Sequence, residues 1–276
     1  MKRAIQFIFM LLAIPNGCQA SSGTVEFRLY HGYLIVAKCS VAHASDLIAI
    51  IDTGTTETIL DLRLVSRLSL ENWADSATSL TTDTSARGVS IPDLQLGPLR
   101  MKKLEGIAMD LSSVSREIGI RADVVIGMDV LHRANFVIDY QAQIITFGPS
   151  PVMAHGASLA PGLRFALIDS NVLGRPLRLQ VDTGFNGLLL YRKRVEGLAQ
   201  PVDTGARVAG VAQASSVRSV DSLEVKVGNW HASHVIVSVM DGAPRDFDGF
   251  DGLLGPRLLG KRRVAFDFDH RMLYWD

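Results

Sequence analysis

Two aspartates, Asp52 and Asp182, end apolar runs and are each followed by Thr-Gly: Ile50-Ile51-Asp52-Thr53-Gly54 and Gln180-Val181-Asp182-Thr183-Gly184. A carboxylate at the end of a buried strand is expensive unless its oxygens are satisfied. Thr53 and Thr183 offer a hydroxyl beside each acid, and Gly54 and Gly184 let the chain turn so that an N–H points back at it. A single instance is explained by a strand-ending turn. Two at equivalent points of a repeat have a further consequence, because loops related by a pseudo-twofold axis can bring their carboxylates together. Like charges that close do not both ionise cheaply, so such a pair holds one proton and acts as acid and base at once.

The repeat is legible in the spacing. Val124-Val125-Ile126-Gly127 ends 75 residues after Asp52, and Gly252-Leu253-Leu254-Gly255 ends 73 after Asp182. Asp139 and Asp267 each lie 12 residues beyond those glycines, flanked by apolar residues. Leu94 to Gly97 answers Leu223 to Gly228, their glycines lying 45 and 46 residues after the aspartates. Four matches in the same order mean duplication.

The elements that must position these residues read mainly as strands, short runs rich in Val, Ile and Leu broken by Gly, Pro, Asn and Asp. Strands are expected over Leu34 to Val41, Leu47 to Ile51, Phe136 to Phe147, Leu163 to Ile168, Leu177 to Val181, His234 to Val239 and Val264 to Trp275. Short helices are expected over Thr58 to Leu70, Gly127 to Ala134, Tyr191 to Leu198 and Pro256 to Leu259. The Pro- and Gly-rich stretch after Gly148 divides the chain into lobes at 21–148 and 163–276, with 149–162 as linker.

These residues resemble the aspartic peptidases, and more closely their retropepsin-like bacterial members than the large pepsin-like enzymes, over about residues 26–276. The resemblance implies an all-β fold of two retropepsin-like barrel lobes with few short helices. Each lobe would carry an Asp-Thr-Gly loop, a flap hairpin, and an apolar-apolar-Gly segment beneath the loop. It assigns Asp52 and Asp182 as the catalytic pair, supported by Thr53, Gly54, Thr55, Thr183 and Gly184. The flaps fall at Thr78 to Pro92 and Ala206 to Arg218, with Gly88 and Gly210 as flap candidates. Retroviral relatives build the site from two chains, whereas one chain suffices here. Water held between the aspartates would be deprotonated as it attacks a peptide carbonyl, the protonated partner stabilising the oxyanion.

The sequence also departs from that pattern. Thr55 follows the first Asp-Thr-Gly but Phe185 follows the second, and neither flap region carries a tyrosine. Thr55 can donate to Asp52 while Phe185 offers Asp182 nothing, so Asp52 is expected to carry the charge and Asp182 the shared proton. Asp203-Thr204-Gly205 reads as a decoy, since Pro201-Val202 is no buried strand. The principal alternative function is a catalytically silent peptide-binding protein on the same fold; a structural β scaffold and a paired-carboxylate glycosidase fit less well.

With 28 Lys+Arg against 28 Asp+Glu, the chain has no net charge, which argues against nucleic-acid binding. No GxSxG, P-loop or GxGxxG sequence occurs. Cys18 and Cys39 form no framework, and His231 and His234 point to opposite faces of a strand, so neither a metal nor an organic cofactor is expected. Lys2-Arg3 followed by an apolar run to Pro15 reads as an export signal cleaved after Ala20, giving a periplasmic or secreted protein. Lipid attachment at Cys18 is the weaker alternative, Pro15 replacing the aliphatic residue such sites carry, and no segment is long enough to span a membrane. Ser21 to Tyr33 reads as a short lead before the first strand, too short for an inhibitory pro-segment. The expected partner is a peptide or protein substrate.

Overall fold

The computed structural model describes residues 22–78, 83–162, 164–196, 202–209, 214–241, 249–260 and 262–276. The expected signal at 1–20 and the flap candidate Gly210 lie outside the described residues. The first lobe contains β1 (Gly23–Tyr30), β2 (Leu34–Val41), β3 (Ala44–Ile51), β4 (Ile59–Asp61), α1 (Leu62–Arg67), β5 (Asn72–Thr78), β6 (Asp83–Leu96), β7 (Leu99–Met109), α2 (Ser112–Ile118), β8 (Val124–Ile126), α3 (Met128–Leu131), β9 (Phe136–Asp139) and β10 (Ile144–Phe147). The second contains β11 (His155–Ser158), β12 (Leu167–Val172), β13 (Arg175–Val181), β14 (Leu188–Tyr191), α4 (Arg192–Val195), β15 (Val202–Ala209), β16 (Ala214–Val227), β17 (Trp230–Met240), β18 (Gly252–Leu254), a 3-10 turn at Pro256–Leu258, β19 (Arg263–Asp267) and β20 (Met272–Trp275).

Both lobes are wired alike. β3 runs parallel to β8, which is antiparallel to β4, which is parallel to β7; β13, β18, β14 and β17 repeat that order and those directions. Each lobe also carries a long hairpin, β5–β6 and β15–β16. The lobes are joined by an antiparallel sheet in the order β11-β20-β19-β9-β10-β1. At its centre Ile138 pairs with Val264 and Phe136 with Phe266. Since Gly127 corresponds to Gly255, Ile138 corresponds to Phe266 and Phe136 to Val264, so each pair maps onto the other and the pseudo-twofold passes between β9 and β19.

One core runs through both lobes beneath that sheet, from Ile35, Ile51 and Phe136 to Val181, Phe266 and Trp275. Phe136 stacks on Phe266 across the lobe boundary with ring centroids 4.7 Å apart. Two smaller apolar clusters occupy the opposite strand faces. The first contains Leu34, Val36, Ile50, Ile59, Ala86, Ile107 and Val125, and the second Leu189, Tyr191, Val217, Met240, Phe250 and Leu253.

Several elements differ from the expectation for local reasons. Ile59 and Leu60, expected to be helical, form β4 because both are buried between β7 and β8; only Leu62–Arg67 is helix, N-capped by Asp61. Phe136 to Phe147 is two strands, its turn closed by Asp139 Oδ1 accepting from the Gln141 and Ala142 N–H groups. Val264 to Trp275 divides likewise, with Asp267 accepting from the His270 N–H. Asp139 and Asp267 thus hold turns. The lead before Tyr33 contains β1, which pairs with both β10 and β2 and belongs to the fold. The strand expected at Leu163 to Ile168 lies at β12, and β11 falls inside the stretch read as linker.

Candidate functional site

Strand alternation decides which way each loop presents its residues. On β3, Ile51 faces the shared core and Ile50 the first smaller cluster, so two residues on Thr53 turns inward and Asp52 turns toward the cluster face. On β13 the same holds for Val181 and Asp182. The glycines Gly127 and Gly255 let the loops pass close over the strands beneath. A Cβ on Gly127 would lie 2.8 Å from the Glu57 carbonyl carbon and 2.9 Å from the Thr55 oxygen, and one on Gly255 would lie 2.9 Å from the Gly187 nitrogen. Neither backbone is left-handed, so contact alone requires glycine. Gly127→Ala and Gly255→Ala are each expected to destabilise the fold by about 1–3 kcal/mol, seen as a lower urea midpoint at constant slope; an unchanged midpoint would show that the loops yield freely.

The two loops are bound to each other by their threonines. Thr53 Oγ1 donates to the Val181 carbonyl at 2.8 Å and accepts from the Thr183 N–H at 3.0 Å. Thr183 Oγ1 donates to the Ile51 carbonyl at 2.8 Å and accepts from the Thr53 N–H at 3.0 Å. Both threonines are buried, so no water substitutes for these bonds. The loop glycines do what their position suggests: Gly54 N–H donates to Asp52 Oδ1 at 2.8 Å and Gly184 N–H to Asp182 Oδ1 at 2.7 Å.

The carboxylates meet across this junction. A Cβ on Gly54 would lie 2.5 Å from both carboxylate oxygens of Asp182, and one on Gly184 would lie 3.0 Å from Asp52 Oδ1. Each loop glycine therefore makes room for the opposite acid. The Asp182 carboxyl is pushed well above the usual carboxylate range, first by burial, then by the Asp52 charge and a hydrogen bond with Asp52, with the Gly184 N–H opposing. Thr55 Oγ1 donates to Asp52 Oδ2 at 3.0 Å, as expected, while the second loop has Phe185 packed against the second apolar cluster. The pair is thus polarised, with the donor-rich side on Asp52 and the proton favoured on Asp182.

The Thr55 donor favours the ionised form of the pair, so Thr55→Val should make ionisation harder and move the acidic limb of kcat/KM to higher pH by about one unit. That limb belongs to the pair, so its displacement is the readable quantity. A limb that stays in place or moves to lower pH in the folded variant would refute this division of roles.

Other residues at the site gave weaker signals in the sequence. Gln180, 2% exposed, stands where the other repeat has Ile50, and its Nε2 donates to the Gly54 carbonyl at 3.0 Å, tying one loop to the other strand. Its signal is a polar residue in an apolar strand on one side of the repeat only. Asp123 and Asp251, each four residues before the repeat glycine, fasten β8 and β18: their carboxylates accept from the Ile48 and Arg178 N–H groups. Tyr33, at the end of the β1–β2 turn, had no sequence signal. Its hydroxyl is raised above its ordinary range by burial and by the charges of Asp182, Glu117 and Asp52, in that order. Arg257 crosses the lobes to donate to the Gly32 carbonyl in the same turn, with its guanidinium 5.1 Å from the Tyr140 ring centroid.

The remaining candidates fall elsewhere. The flap candidate Gly88 lies within β6 of the β5–β6 hairpin, and the ring of Trp73 occupies the space where its Cβ would be. Asp203 is exposed on β15, opposite Arg218. His231 Nε2 lies 2.8 Å from Glu224 Oε1 at the surface. Among the described residues, no group of three His, Cys, Asp or Glu side chains is arranged to hold a metal ion, and no helix is long and apolar enough to cross a membrane.

A family model described as aspartyl protease matches residues 38–130 and 168–257, one segment in each lobe. No curated protein matches the chain. Among solved structures, the chain is similar to the crystal structure of an aspartic proteinase from Irpex lacteus, at 14% identity and a TM-score of 0.55, covering 92% of this chain and 96% of that one. At that identity the likeness concerns the fold.

Proposed function

Since the chain belongs to the aspartyl protease family, with a family segment in each lobe, we propose that it is an endopeptidase in which Asp52 and Asp182 jointly activate a water molecule. The observation that carries the reading is the meeting of the two carboxyl groups over reciprocally bonded threonines, with one of them favouring its proton. The ionised Asp52 takes a proton from the water as it attacks the peptide carbonyl. Protonated Asp182 donates to the developing oxyanion, and a proton then passes to the leaving nitrogen. One chain supplies both acids, so a monomer is a complete unit. The basic and apolar residues 2–15 support export, with the mature chain beginning at Ser21.

The alternative, a silent peptide-binding protein, differs in what it binds best. A peptide whose scissile amide is replaced by a secondary alcohol mimics the tetrahedral intermediate, and the peptidase should bind it at least about 100-fold more tightly than the parent amide. That preference should vanish in Asp182→Asn. Equal affinity for alcohol and amide would favour the binding protein.

A further inference from the structure

We propose that the cavity lined by α1, α2 and the segment entering β8 binds a small anion with two or more oxyanion groups, a polycarboxylate or an organic phosphate, among the guanidinium groups of Arg63, Arg116 and Arg121.

The cavity has a volume of about 450 Å³, a size that suits a small organic ligand. Arg63 enters it from α1, Ser112, Ser115 and Arg116 from α2, and Arg121 from the segment that leads into β8. Its charged lining residues are all arginines, and no acidic residue lines it among the described residues.

Two of the three guanidiniums are fixed before any ligand arrives. Arg63 Nε and Nη2 donate to the two oxygens of Asp61 at 2.6 and 3.0 Å, and Arg121 Nε and Nη2 both donate to Asp123 Oδ1, at 2.9 and 2.6 Å. Both carboxylates are buried and tied to the backbone, Asp61 by the Leu111 N–H and Asp123 by the Ile48 N–H, while both arginine side chains are more than half exposed. Each acid thus holds one edge of a guanidinium from beneath and leaves its Nη1 without an acceptor. Their side-chain freedom is already lost in the fold, so a ligand need not order them.

The other polar groups of the lining are donors too. No hydrogen bond or ion pair engages Arg116 among the described residues. Ser115 Oγ accepts from the Ala122 N–H at 3.0 Å, which leaves its own proton to donate. Asp110, whose charge also reaches Arg63, is occupied by the N–H and hydroxyl of Ser112. A single carboxylate or phosphate group would meet one guanidinium, whereas three guanidiniums on three separate segments call for an anion with more than one such group. A neutral ligand would leave them unpaired.

Citrate and pyrophosphate are the probes and acetate the singly charged comparison, each titrated calorimetrically into the full chain. The buffer is metal-free and its ionic strength is held constant with NaCl, so that screening is equal in every arm. At least one of the two probes should bind saturably at one site with a Kd below about 1 mM, and at least about tenfold more tightly than acetate. The tighter of the two tells whether the preferred group is carboxylate or phosphate. Arg116→Gln should weaken that binding by about tenfold or more, and Arg116→Lys by less, since lysine keeps the charge without the planar fork. Arg175→Gln, which removes an exposed arginine from the start of β13 in the other lobe, should leave Kd unchanged. Tm should rise with probe concentration in the wild type and scarcely at all in Arg116→Gln. No saturable binding of either probe, binding that Arg116→Gln leaves intact, or an equal loss in Arg175→Gln would overturn the proposal. None of these readouts depends on peptide cleavage.

Discussion

Asp52→Asn and Asp182→Asn should each lower kcat by about 10²–10⁴-fold, with KM nearly unchanged and the double variant scarcely slower than either. Asparagine preserves the shape of each side chain, and the Gly54 and Gly184 N–H groups still find an acceptor, so the fold should survive. What is lost is the single proton shared by two oxygens: with one member amidated, the pair no longer holds both a base and an acid. Two groups acting as one unit show this non-additivity. If either single variant kept more than about a tenth of wild-type kcat, a loss of under about 1.4 kcal/mol, the two acids would not be acting jointly.

The second large effect is structural. Thr53→Val removes the donor to the Val181 carbonyl and the acceptor for the Thr183 N–H, leaving two buried backbone groups unpaired. At about 1–3 kcal/mol for each such group, the variant should lose on the order of 2–6 kcal/mol of stability, and Thr183→Val a similar amount. Because both side chains serve one ring of hydrogen bonds, the double variant should lose clearly less than the sum. Thr53→Ser keeps the hydroxyl and should lose about 1 kcal/mol for the missing methyl. Urea titration followed by tryptophan emission measures all four. Additive losses, or a serine variant as weak as the valine one, would mean that packing around the threonines matters more than their bonds.

The parts of the site that could be read from the chain are those fixed by short-range chemistry. Asp-Thr-Gly is a loop whose residue types are each required within three positions, and its recurrence with matched downstream glycines revealed two lobes. Thr55 was legible because its hydroxyl lies three residues from Asp52 in sequence as in space. Tyr33 was not, since no local pattern says which charges a turn residue will face, and Gln180 was legible only as a polar residue in an apolar strand, its Gly54 partner lying 126 positions away in sequence.

Secondary structure failed where burial overrode local preference. Ile59 and Leu60 form a strand because neighbouring strands claim both faces, whereas α2 went unseen because Ser112–Ile118 offers only Val114 and Ile118 as an apolar pair. The β9–β10 turn has neither Gly nor Pro and is closed instead by Asp139, so its strands read as one. Gly88 lies in the long β5–β6 hairpin, and the Trp73 ring that occupies the space beside it could not be foreseen without the register of the two strands.

The most direct test is a mass-spectrometric search for cleavage of an octapeptide library incubated with the protein from acidic to neutral pH, beside Asp182→Asn at equal concentration. Wild type should generate new peptide amino and carboxyl termini, fastest on the acidic side of neutrality where one proton resides on the pair, and the Asn variant should generate almost none. Peptides that bind the wild-type protein yet remain whole at every pH, or cuts that persist undiminished in Asp182→Asn, would contradict the account.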